Sequence, residues 1–169
     1  MSAELELASR LTGRVVLVGV GNSLRGDDAA GCLAVRRVRE RDRVRVIVAE
    51  EIPEAYLGAI AAARPDAVVL IDAVDMGAEP GSFAILGRDD VTPGYAGTHR
   101  LPLPVLMELV ELETGADVVL LGIQPSQVGF GALPSAEVTA AAESVGNALE
   151  RVLSAGRAVA LGETGALPC

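Results

Sequence analysis

Acidic residues follow the apolar, strand-like runs of this chain, and their placement suggests a chemistry. Asp27 and Asp28 lie beyond the run that ends at Val20, Glu50 and Glu51 beyond Ala49, and Asp72 and Asp75 at the close of "DAVVLIDAV". His99, the only histidine, stands in "TPGYAGTHR" a little beyond a fourth run, and Gln124 closes a fifth. Asp28, Asp72 and His99 therefore offer two carboxylates and an imidazole from three separate loops. Such donors suit a borderline divalent cation that keeps open coordination positions. The set holds no thiolate, which excludes a closed structural zinc site.

Each of these residues also has a structural use. Asp27 is placed to cap the first helix, and Asp28 complements the positive end of its first turn. Asp72 suits a cap on the turn after its strand, and Asp75 a solvated turn. Glu50 and Glu51 suit the start of the helix that opens near Pro53. A lone histidine near a helix start is more often a hydrogen-bonded structural residue than a ligand. Convergence on one rim is what favours the metal reading.

The elements that must position these residues alternate in type. Residues 14–20, 43–49, 66–74 and 117–124 form apolar, β-branched runs of strand length. "FAILG" is a short fourth strand that suits an edge or an antiparallel pairing. Between the runs, Ala30, Leu33, Ala34 and Val38 recur at helical spacing, as do Leu103, Leu106, Met107 and Val110. "PEAYLGAIAAAR" reads as a helix, and Val138, Ala142, Val145, Leu149 and Val152 mark a long last one. Strands separated by helices need crossover connections, hence a mostly parallel sheet covered on both faces. Ligands of such sheets bind outside the carboxyl ends of the strands, where the acids lie. One domain is expected over residues 1–156, with a flexible tail at 157–169.

Composition narrows the function. Asp and Glu number 23 against 14 arginines, for a net charge of −9. That balance argues against nucleic acid and anionic membranes as partners. Two cysteines make no disulfide framework, and Cys32 sits in an apolar helical pattern as a small buried thiol. The N-terminal "MSAELELASRLTG" does not read as a signal peptide, so none is expected, and no apolar run approaches the roughly 18 residues of a membrane span. The cytoplasm is the expected compartment. A dinucleotide fingerprint also fails. Gly19 and Gly21 fit its first two glycines, but Leu24 occupies the third, and Asp27 and Asp28 would repel a pyrophosphate.

"GVGNSLRGDDAAG", "VVLIDAVDMGAEPGSF", "THRLP" and "LLGIQPSQVGFG" together resemble the hydrogenase maturation endopeptidases, most closely the type that processes the formate hydrogenlyase hydrogenase. The resemblance runs in order from Val15 to Leu149. It implies an α/β fold: a single three-layer α/β/α domain with a twisted, mostly parallel five-stranded sheet. It implies removal of a C-terminal extension from a nickel–iron hydrogenase large-subunit precursor after nickel insertion. The nickel-contacting residues of the family map onto Asp28, Asp72 and His99, and the nickel belongs to the substrate rather than to the peptidase. Two departures stand out. "AEEIPE" replaces the glycine-containing segment that many relatives carry after the second strand, which bears on substrate choice. Ala29 replaces a usual glycine.

No Ser, Cys or Thr is paired with a free histidine base, and no His-Glu-x-x-His helix exists. The expected mechanism docks the substrate's nickel on Asp28, Asp72 and His99, with hydrolysis by water near the ion or polarised by a rim carboxylate. A monomer is the expected acting unit. A neutral His99 is required as ligand, so activity is expected to fall below about pH 6.5. The alternative is a non-catalytic metal-binding or metallochaperone module on the same fold.

Overall fold

Parallel strands carry the loops that follow them to one end, and four of the five strands meet this condition. The computed structural model describes residues 2–91 and 101–162, with side chains of the last helix described as far as residue 155. Helix α1 (Ala3–Arg10) precedes strand β1 (Val15–Val20), which leads through a 3₁₀ turn (Gly26–Ala29) into α2 (Ala30–Val35). Strand β2 (Val44–Glu50) leads through a second 3₁₀ turn (Pro53–Tyr56) into α3 (Leu57–Ala62). Then follow β3 (Ala67–Ala73), β4 (Phe83–Leu86), α4 (Leu103–Thr114), β5 (Asp117–Ile123) and α5 (Ala136–Gly162). The sheet order is β2-β1-β3-β5-β4, parallel except for β4, which pairs antiparallel to β5 at the edge.

β1 is buried at every position, as a central parallel strand must be. Its side chains alternate between two cores. Val15 and Leu17 join Val69, Ile71, Val119 and Leu121 beneath α1, α2 and α5. Val16, Val18 and Val20 join Val68, Leu70 and Leu120 beneath α3 and α4, where Ile60, Leu106, Met107 and Val110 pack. These are the three layers of the expected α/β/α domain. α2 lies unusually close to the sheet: a Cβ on Gly31 would stand 1.9 Å from the Ile71 carbonyl oxygen. No helix among the described residues is long and apolar enough to cross a membrane.

Two features were not foreseen. α1 is short and buries Leu7 as its only fully buried residue. It is held by tertiary contacts, with Arg10 donating to Asp117 at 2.8 and 2.5 Å and Arg151 to Glu4 at 3.0 Å. α5 continues past the expected domain end at 156 to Gly162.

Candidate functional site

The strand order places the reversal of winding between β1 and β3. β2 lies on one side of β1 and β3 on the other, and the following helices α2 and α3 cover opposite faces. The crevice at such a switch point is where α/β sheets bind ligands. The chain leaves β1 through Gly21 at φ 136°, a conformation open to glycine and rare for any other residue. A Cβ there would lie 1.8 Å from the Asp28 carbonyl oxygen and 3.7 Å from Asp72 Oδ1. The end of β1, the 3₁₀ turn and the end of β3 thus converge, and they bring Asp28 and Asp72 to the same crevice.

Asn22 organises the near wall. Its side-chain oxygen accepts the Leu24 N–H at 2.8 Å, an Asx turn, and its amide donates to Glu51 Oε1 at 2.7 Å. Its backbone N–H donates to Asp28 Oδ2 at 2.9 Å. Asp28 is half-buried, whereas Asp72 is buried and accepts the Ala73 N–H on Oδ1 at 2.8 Å. Glu50, the last residue of β2, and Glu51 just after it are exposed. Glu50 stands at φ 52°, in the left-handed region that glycine favours.

His99 lies outside the described residues, so the crevice is described through its two aspartates. Among the described residues no group of three His, Cys, Asp or Glu side chains is arranged to hold a metal.

Asp27 corrects an expectation. It makes no cap hydrogen bond to the turn or helix that follows it. Its carboxylate is fully buried and turned toward the connection between β5 and α5. Oδ1 accepts the Ser135 N–H at 2.6 Å; Oδ2 accepts the N–H groups of Ser126 at 2.8 Å and Gln127 at 3.0 Å, and the Ser135 hydroxyl at 3.0 Å. Burial pushes this carboxyl up, but the donors from Ser135, Gln127 and Ser126 together hold it below the usual carboxylate range. These partners are 99 to 108 residues distant, so no local pattern marks the role.

Gln124, read as a rim residue, is a buried clamp. Its Oε1 accepts the N–H groups of Met76 at 2.6 Å and Ala78 at 3.2 Å, and its amide donates to Asp75 Oδ1 at 3.1 Å. That bond, with the Gly77 N–H, holds the exposed Asp75 below the usual carboxylate range. Cys32 is buried with Sγ 3.6 Å from the Gly19 carbonyl oxygen. Burial pushes its thiol up to about 11, so it stays protonated and is no nucleophile.

Comparison with known proteins agrees with this architecture. Residues 33–155 match the family model described as hydrogenase maturation protease. The hydrogenase 3 maturation protease of Escherichia coli K12 is 36% identical over 138 residues, covering 80% of this chain and 88% of the relative. The crystal structure of the NiFe hydrogenase maturation protease HycI from Thermococcus kodakarensis KOD1 superposes with a TM-score of 0.80 at 35% identity, covering 88% of this chain and 99% of that one. The hydrogenase maturating endopeptidase HybD of Escherichia coli superposes with a TM-score of 0.67 at 26% identity, covering 86% and 93%.

Proposed function

The chain belongs to the hydrogenase maturation protease family, and from that premise we propose that this peptidase removes the C-terminal extension of a nickel–iron hydrogenase large-subunit precursor once nickel has been inserted. Its relatives are proteases and endopeptidases, so the enzyme reading displaces that of a non-catalytic metal-binding module. The observation that carries the proposal is the meeting of Asp28 and Asp72 around Gly21 at the switch point of the sheet.

In this reading the nickel is part of the substrate. Asp28, Asp72 and His99 take coordination positions that the precursor leaves open, and a precursor without the ion lacks the group they bind. Docking thereby couples cleavage to nickel loading. Carboxylate and imidazole donors suit a divalent ion of this kind. A water at the rim then attacks the scissile carbonyl, and a rim carboxylate takes its proton and passes it to the leaving amine. Protonated Cys32 takes no part. The peptidase acts as a monomer in the cytoplasm.

Site variants test the proposal. Asp28→Ala, Asp72→Ala and His99→Ala are each expected to lower kcat/KM on a nickel-loaded precursor by about 100-fold or more, read by intact mass as loss of the C-terminal peptide. Cleavage at the wild-type rate by any of the three would remove that residue from the docking site.

A further inference from the structure

We infer that Asp27 is a positioning residue for Asp28, its buried carboxylate fixing the direction in which Asp28 points. The inference rests on the proposed role of Asp28 at the rim. Both residues lie in the 3₁₀ turn Gly26–Ala29, where consecutive side chains diverge by about 120°. Anchoring one therefore sets the azimuth of the other. The four donors of the β5–α5 connection hold Asp27 inward. Asp28 is then directed to the crevice, where the Asn22 N–H meets its Oδ2.

The backbone reinforces the same seam. Asp27 N–H donates to the Gln127 carbonyl at 2.9 Å, Gly26 N–H to Ala132 at 3.1 Å, and Gly131 N–H to Leu24 at 2.7 Å. Ser135 links the anchor to α5, since its hydroxyl, while donating to Asp27, accepts the Val138 N–H of the first turn at 3.4 Å. The anchor depends on a group that only accepts. An asparagine at position 27 would turn an NH₂ toward at least one of the donors and release the seam.

The test follows the Asn22 amide by two-dimensional NMR, because that N–H reports on Asp28 without precursor or nickel. Asp28→Asn calibrates how far the resonance moves when its partner changes. Asp27→Asn is expected to move the Asn22 resonance and to lower kcat/KM on nickel-loaded precursor by about 100-fold, as a misplacement of about 1 Å does. Glu150→Gln supplies the control, because it disrupts the Arg41 pair on the far side of the fold. It should leave both readouts at wild-type values. Ser135→Ala should shift Asn22 in the same direction by less, and Ser135→Thr should restore it. If Asp27→Asn does not fold, the Ser135 pair decides. An Asn22 resonance unmoved in folded Asp27→Asn, or unmoved in Ser135→Ala, would overturn the inference. So would equal loss of activity in Glu150→Gln. Should wild type cleave no loaded precursor, the proposed function fails while the Asn22 readout still judges the positioning.

Discussion

Two adjacent carboxylates serve different ends. Asp28 accepts the Asn22 N–H and stays half-buried at the crevice, whereas Asp27 is fully buried and turned to four donors of the β5–α5 connection. The consequence for stability has a definite sign. The Asp27 carboxyl is held below its unfolded value, so it stabilises the fold above about pH 4 and loses that contribution as pH falls through its lower folded value. Asp27→Asn is therefore expected to lower stability near neutrality by about 1–3 kcal/mol and to flatten the acid limb of a pH series of thermal melts. An acid limb as steep as wild type would contradict this. Asp28 and Asp72 were legible in sequence because one follows the run of β1 and the other closes the run of β3, where strands must end. The duty of Asp27 was not, because "DDAA" at a helix start looks like capping, and its partners Ser126, Gln127 and Ser135 come close only through the fold.

The elements succeed or fail as sequence signals by how much of their stability is local. β1 and β3 are apolar runs broken only at Asp72, and their assignments hold within a residue of the expected bounds. β4 likewise pairs antiparallel at the edge, as the short "FAILG" suggested. α1 left little trace, since it buries little of itself and relies on Asp117 and α5 for its hold. α2 shows how packing of an element reaches the site. Its Gly31 backs onto the Ile71 carbonyl, one residue before Asp72. Gly31→Ala is expected to push α2 off the sheet and cost about 1–3 kcal/mol, as overpacking does. Cleavage should fall with it, because the turn that carries Asp28 leads directly into α2. A thermal midpoint and a kcat both unchanged would show that the contact relaxes freely.

At the scale of the whole molecule, the sheet order decides where chemistry is possible. Placing β1 between β2 and β3 opens the switch-point crevice, and the turn after β1 and the end of β3 bring Asp28 and Asp72 to it. The net charge of −9 suits the proposal that Asp28 and Asp72 are addressed to a cation. A parallel sheet was legible from alternating runs, but the strand order was not, since no single run states its neighbours. The central claim is that the substrate's nickel is what the peptidase recognises. The most direct test mixes wild-type protein with nickel-loaded and nickel-free forms of the same large-subunit precursor and follows both by intact mass. Loss of the C-terminal peptide from the loaded form alone is the predicted result. Equal cleavage of the nickel-free form, or none of the loaded one, would contradict it.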